Sequence, residues 1–145
     1  MNARQTVDGS TVGDLMTPDP VRIRADAPLA KAARLLDQHH VHGLPVVDAS
    51  GALVGVVSQT DMLRARTTEY LWSWWRGLQV RHLMTSPALT VTADATLTDA
   101  ATRMEEYQVH RLVVVGTDGT SPIGIVSTSD LVRAMASEVD DGPIA

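Results

Sequence analysis

Gly55-Val56-Val57-Ser58-Gln59-Thr60-Asp61 ends one half of the sequence, and Gly124-Ile125-Val126-Ser127-Thr128-Ser129-Asp130 ends the other. Reading back from this phrase, the halves stay in register. Leu15-Met16-Thr17 pairs with Leu83-Met84-Thr85, Ala25-Asp26-Ala27 with Ala93-Asp94-Ala95, and Val41-His42 with Val109-His110, all at an offset of 68 residues. One extra residue near Thr120–Pro122 moves the offset to 69, so that Gly55 meets Gly124. The chain is therefore one unit written twice. Residues 12–66 form the first repeat and 80–135 the second. Residues 67–79 read as a linker helix, and the polar stretches 1–11 and 136–145 as frayed tails.

Within each copy the hydrophobic period changes in a fixed order. Val21-Arg22-Ile23 alternates as a short strand does. Leu29, Ala32, Ala33 and Leu36 share one face of a helix, with Asp26 suited to its cap or first turn; Leu97, Ala100, Ala101 and Met104 repeat that face after Asp94. Leu44–Val47 and Leu112–Val115 are continuous apolar runs, as in buried strands. Turns at 48–51 and 116–119 precede third strands at Leu53–Val57 and Ile123–Val126. Helices then start at Asp61 and Asp130. The expected fold is α+β, two tandem β-α-β-β-α repeats related by a pseudo-twofold axis with their sheets packed together. A unit of about 55 residues is marginal alone, so the two should share their stability.

Composition narrows the function classes. The chain has 145 residues, no Cys and no Phe, and a formal net charge of −5. The absent Cys removes disulfides, thiolate chemistry and Cys-based zinc sites. The acidic balance opposes general nucleic-acid binding, which needs a basic excess to displace counterions. No apolar run approaches the ~20 residues of a membrane span, and no signal-peptide core stands at the start. A soluble cytoplasmic protein without a nucleic-acid or membrane partner is expected.

Ser58-x-x-Asp61 and Ser127-x-x-Asp130 fall where a strand gives way to a helix. As local structure, each approximates a capping box. As chemistry, a helix N-terminus offers unpaired N–H groups and positive potential to a phosphate. The Ser and Thr hydroxyls add donors, with Thr60 and Ser129 placing a second hydroxyl beside each Asp. A carboxylate accepting two hydrogen bonds matches the vicinal hydroxyls of a ribose. Gly55 and Gly124 would admit a planar base close to the strand, or fit a tight turn. His42 and His110 sit at a second repeated polar position. Arg111 follows His110 where the first copy has Gly43, and its fork of donors suits phosphate; the same residues would equally line a solvated groove. His39, His40 and His42 have poor metal-ligand spacing, because adjacent helical positions point about 100° apart. No metal site is assigned. The linker carries Tyr70, Leu71, Trp72, Trp74 and Trp75, too many rings for one helix face. They read as a cover for the repeat interface or a dimer contact, or else as a docking surface for another protein or a membrane face.

The Met-Thr openings, Val-His-x-Leu before an apolar run, and Gly-x-Val-Ser-x-x-Asp, in this order and twice over, resemble tandem cystathionine-β-synthase (CBS) domains, a Bateman module standing alone. The resemblance covers both copies. It implies that adenosine ligands (AMP, ADP, ATP or S-adenosylmethionine) bind in clefts between repeats, and that modules pair into disc-like homodimers. It implies ribose contacts at Asp61 and Asp130, and phosphate or ribose contacts at Ser58, Thr60, Ser127 and Ser129. It places His42, His110 and Arg111 toward phosphates. The adenine would lie near Val21–Ile23 or Leu89–Val91 and the Leu44–Val47 or Leu112–Val115 strand. Gly43 opposite Arg111 departs from symmetry, so phosphate binding is expected to be stronger at the second site. The expected function is a non-catalytic regulatory module that needs no cofactor, signals by a conformational or dimer change, and acts on an effector protein. The alternative is a ligand-free protein–protein interaction or dimerisation module. Catalysis is not expected: there is no nucleophile elbow, no Walker loop and no metal set.

Overall fold

A computed structural model of the chain describes residues 10–141. In chain order the elements are α1 (Val12–Leu15), β1 (Thr17–Pro18), β2 (Ile23–Arg24), α2 (Leu29–His39), β3 (Gly43–Val47), β4 (Leu53–Ser58) and α3 (Gln59–Thr67). They continue as α4 (Glu69–Ser73), a 3-10 turn (Trp75–Gly77), α5 (Val80–Leu83), β5 (Thr90–Thr92), α6 (Leu97–Tyr107), β6 (Arg111–Val115), β7 (Pro122–Ser127) and α7 (Thr128–Asp141). The α+β class and the doubled strand–helix–strand–strand–helix order are as expected. The chain divides into two compact units. Unit I is Pro20–Ala88; of the described residues, unit II joins 10–19 to 89–141.

In unit I, β2 runs parallel to β3, with Ile23 opposite Val46, and β3 runs antiparallel to β4. Every residue of β3 is buried, which accounts for its continuous apolar run. α2 lays Leu29, Ala32 and Leu36 against that sheet, all buried in one cluster with Leu44, Val46 and Val57. Unit II repeats the pattern. β5 is parallel to β6 and β6 antiparallel to β7, and Leu97, Ala100 and Met104 of α6 cluster with Leu112, Val114 and Val126. Burying each of these large aliphatic side chains is worth about 1.5–3 kcal/mol.

The openings are exchanged between the units. α1 belongs to the first sequence repeat but packs in unit II: Val12 and Gly13 donate N–H bonds of 2.8 Å to the carbonyls of Ala95 and Ala93. α5 of the second repeat packs in unit I, with Val80 and Arg81 donating at 2.9 Å to Ala27 and Ala25. β1 then pairs with β7 (Thr17 opposite Ile125), and Thr85 bridges to Val56 on β4. This exchange explains Gly55 and Gly124. A Cβ at Gly55 would stand 2.6 Å from the Thr85 carbonyl oxygen and 3.0 Å from the Met84 sulfur; one at Gly124 would collide with the Met16 sulfur. The glycines make room for the Met-Thr opening of the other repeat, rather than for a tight turn.

Five local expectations need correction. Asp26 does not cap α2, whose N-cap is Pro28 without a side-chain bond; Asp26 pairs with Arg24 at 2.9 Å. Thr96, not Asp94, caps α6, in a reciprocal box with Asp99. The helices expected from Asp61 and Asp130 begin two residues earlier, at Gln59 and Thr128. The linker is not one helix but α4 and a 3-10 turn, because Leu71 and Trp75 are drawn onto the unit I core and a run of bulky rings has weak helix propensity. Finally, α7 continues to Asp141 where fraying was expected, and Thr11 caps α1 in a box with Asp14; the remaining tail positions, 1–9 and 142–145, lie outside the described residues. Among those described, no helix is long and apolar enough to cross a membrane.

Candidate functional site

Each repeated phrase folds into a strand end followed by a capped helix. In unit I the Asp61 carboxylate accepts from the Ser58 N–H at 2.7 Å and the Ser58 hydroxyl at 3.1 Å through Oδ2. Ser58 Oγ in turn accepts the Asp61 N–H at 3.4 Å. In unit II Asp130 Oδ2 accepts from Ser127 N–H at 2.8 Å and Oγ at 3.0 Å, and Ser127 Oγ accepts the Asp130 N–H at 3.3 Å. Both halves of a capping box are therefore made twice.

The second carboxylate oxygen is also engaged. Arg64 lies 3.2 Å from Asp61 Oδ1, and Arg133 lies 3.2 Å from Asp130 Oδ1. These arginines were missed in the sequence, although Asp-x-x-Arg recurs at helical i,i+3 spacing in both copies. The two clamps differ. Arg64 is further held by a 2.9 Å bond to the Leu83 carbonyl, and the Asp61 side chain is 6% exposed. Arg64 is 53% exposed against 74% for Arg133, and Asp130 is 12% exposed, so the unit II pair is slightly less covered.

The histidine positions lie beside these helix starts. β3 and β4 set Gly43 opposite Ser58, and the His42 carbonyl accepts the Gln59 N–H at 2.9 Å. β6 and β7 set Arg111 opposite Ser127, and the His110 carbonyl accepts from Thr128 twice, from N–H at 2.9 Å and from the hydroxyl at 3.1 Å. Unit I has Gln59 at that point, so the Thr128 hydroxyl tie is peculiar to unit II. Both imidazoles are exposed, as are Thr60 and Ser129. The structure thus gathers His110, Arg111, Ser127, Ser129 and Asp130 at the start of α7, and His42, Ser58, Thr60 and Asp61 at the start of α3. Of the segments expected near an adenine, Ile23 pairs with Val46 and Val91 with Val114, three residues along β3 and β6 from Gly43 and Arg111.

Arg111 separates the two sites electrostatically. It is half-buried, and desolvation holds its pKa below the usual arginine value. Its guanidinium has no acidic or hydrogen-bonding partner among the described residues. A guanidinium taken partly out of water without an anion is costly, and an anion seated between it and the first turn of α7 would offset that cost. At the matching point unit I has buried Gly43, which carries no charge.

The other histidines are structural. His40 is the left-handed C-cap of α2 (φ 52°), matched by Gln108 (φ 56°) on α6, and His39 stands in the last turn of α2. His82 closes a box at the start of α5 by accepting the Gln79 N–H at 2.9 Å. Among the described residues no three His, Asp or Glu side chains gather as a metal site.

Comparison with known proteins sets these sites in context. The CBS domain model matches residues 12–67 and 80–137. The chloroplastic CBS domain-containing protein CBSX2 of Arabidopsis thaliana is 35% identical over 152 aligned residues, covering 87% of this chain and 63% of that protein. Its crystal structure in complex with AMP superposes with a TM-score of 0.76 at 37% identity, over 89% of this chain and 98% of that one. The CBS domain pair of protein MJ0100, in complex with 5′-methylthioadenosine and S-adenosyl-L-methionine, superposes at 0.77 with 26% identity, over 89% of this chain and 98% of that one. The L-aspartate semialdehyde sulfurtransferase of Methanocaldococcus jannaschii is 26% identical over 84% of this chain, which spans only 22% of that enzyme. With its doubled phrase, exchanged openings and two family matches, this chain belongs to the CBS domain family as a tandem pair.

Proposed function

We propose that the chain is a non-catalytic regulatory module that binds an adenosine-containing ligand, with unit II as the phosphate-reading site. The observation that carries this reading is Arg111, half-buried and lacking an anionic partner among the described residues, directly across from Ser127 at the start of α7. Ser127, Ser129 and the α7 N-terminus supply further donors, His110 a flanking ring, and the less covered Asp130 the ribose contact. Ser58, Thr60, Asp61 and His42 form the weaker counterpart in unit I, suited to an adenosine group without phosphate. AMP, 5′-methylthioadenosine and S-adenosylmethionine in related pairs support the ligand class. Ligand binding shifts the module's conformation or its pairing as a homodimer, which an effector protein reads. Leu63 on α3 and Val132 on α7, repeat equivalents that are 66% and 60% exposed, supply apolar surface for the dimer. Any such switch is limited by the ligand's differential affinity for the two states.

Titration calorimetry with AMP, ADP, ATP and S-adenosylmethionine tests the reading. At least one should bind and raise the melting temperature; no heat and no thermal shift with all four would overturn it. The closed caps favour a second reading, a ligand-free dimerisation module in which both Asp residues only start helices. Under that reading Asp130→Ala lowers stability by about 0.5–2 kcal/mol and changes no ligand affinity.

A further inference from the structure

The linker presents rings and cations outward. Leu71 and Trp75 pack on the unit I core, which turns the other aromatics of the segment to solvent. Tyr70 is 73%, Trp72 40% and Trp74 61% exposed. Trp72 stacks on Trp75 with ring centroids 5.1 Å apart, and the Arg66 guanidinium lies 4.5 Å over the Trp72 ring. Trp72, Trp74, Trp75 and Arg76 line a shallow depression. Arg66 and Arg76 have no acidic partner among the described residues. Residues 66–77 hold two arginines against one glutamate in a chain of net charge −5. This face is a local basic and aromatic exception on an acidic protein.

We propose that Tyr70, Trp72 and Trp74, flanked by Arg66 and Arg76, dock the protein peripherally on an anionic lipid surface. Tyr and Trp rings, apolar with a polar edge, settle at the headgroup level of a bilayer. The arginines are drawn to anionic headgroups. A second copy fits less well, because two such faces would oppose their unpaired cations. Single-stranded nucleic acid needs a groove of positive charge that tracks many phosphates, and two arginines do not make one. A peptide strand would need open backbone edges, whereas the segment's N–H groups are used internally, Trp72 to Thr68, Trp74 to Leu71 and Gly77 to Trp74. A fluid anionic interface asks for none of these. The expectation of no membrane partner rested on the lack of a spanning run, and a surface contact does not require one.

Vesicle flotation of the full chain tests this, with phosphatidylcholine alone and with phosphatidylcholine mixed with phosphatidylglycerol. The chain should float only with the anionic vesicles, with its tryptophan emission shifted to the blue and the binding weakened by salt. Arg66→Gln and Arg76→Gln should each reduce partitioning roughly fivefold, and Trp74→Ala should remove most of the emission shift, all with unchanged melting temperature. No flotation, or flotation equal on both vesicle types, overturns the proposal. So does binding that survives Arg76→Gln and Trp74→Ala together. A dimer that becomes a monomer in Trp74→Ala without vesicle binding assigns the face to a second copy instead, and retention on oligothymidine without vesicle binding assigns it to nucleic acid.

Discussion

Unit I and unit II were built from the same sequence unit and carry the same phrase, yet they hold it differently. In unit I the Asp61 carboxylate is the more covered: Ser58 engages one oxygen, and Arg64, itself tied to the Leu83 carbonyl, the other. In unit II the matching arginine is more exposed and, among the described residues, has no second tie like that of Arg64, while Arg111 enters from β6 with no anionic partner among the described residues. The same capping box is thus more covered in one unit, and in the other it starts a helix beside a half-buried cation. Duplication supplies the scaffold, and under the proposed function single substitutions such as Gly43 against Arg111 make the two sites unequal.

The contrast can be broken most strongly at the glycines. Gly55→Ala forces a Cβ to 2.6 Å from a backbone carbonyl, that of Thr85, whereas Gly124→Ala meets chiefly the flexible Met16 side chain. Urea denaturation should show a loss of about 2–3 kcal/mol for Gly55→Ala and about 1 kcal/mol for Gly124→Ala, the scale of overpacking in a tight core. Equal losses would mean that the two openings are held alike.

A smaller difference is expected at the carboxylates. Asp61→Ala leaves the Ser58 N–H and Arg64 without their acceptor in a covered site and should cost about 1–3 kcal/mol. Asp130→Ala removes a more exposed box and should cost about 0.5–2 kcal/mol. Chemical denaturation of both variants checks the order; a larger loss at Asp130 would reverse the assignment of the stabilising role.

The smallest effect is expected in acid, at the hairpin turns. Asp118 lies at about 2, below its usual 3.8, because the Ser121 hydroxyl and then the Ser121 and Thr120 N–H groups hydrogen-bond to its carboxylate. Asp48 is lowered chiefly by the Ser50 hydroxyl and the Ala52 and Ser50 N–H groups. A carboxyl whose pKa falls on folding stabilises the fold above its unfolded value, and that stabilisation is lost as pH falls through the folded value. Melting temperature should therefore drop between about pH 4 and pH 2, and Asp118→Asn should flatten that part of the curve. An unchanged slope in the variant would remove Asp118 from the account.

The repeats, the buried strands β3 and β6, and the Ser-Asp caps were legible because each leaves a periodic or spaced signature in the chain. The exchange of openings was not. A repeat reports that two stretches are alike, and Leu15-Met16-Thr17 looks the same whether it packs on its own copy or on the other. Gly124 held the clue, a residue without a side chain on a strand, but its reason is Met16, which lies far away in sequence. α1 and α5 are single turns, too short for a hydrophobic period. The linker misled in another way: its rings promised a helix, and the draw of Leu71 and Trp75 to the core broke it. At the sites, the residues and their inequality, Gly43 against Arg111, could be named from the sequence; the half-burial of Arg111 and the arginines on each Asp took the structure, since neither leaves a signature in the chain.

The central claim is that unit II reads a phosphate through Arg111, and calorimetry with AMP and with adenosine, on the natural chain and on Arg111→Gln, tests it most directly. The account predicts that the natural chain binds AMP more tightly than adenosine by roughly tenfold or more, the scale of a charge-assisted bond. Arg111→Gln should erase that preference while leaving adenosine binding and the melting temperature of the free protein in place. An undiminished preference for AMP in Arg111→Gln, or equal binding of AMP and adenosine by the natural chain, would contradict it.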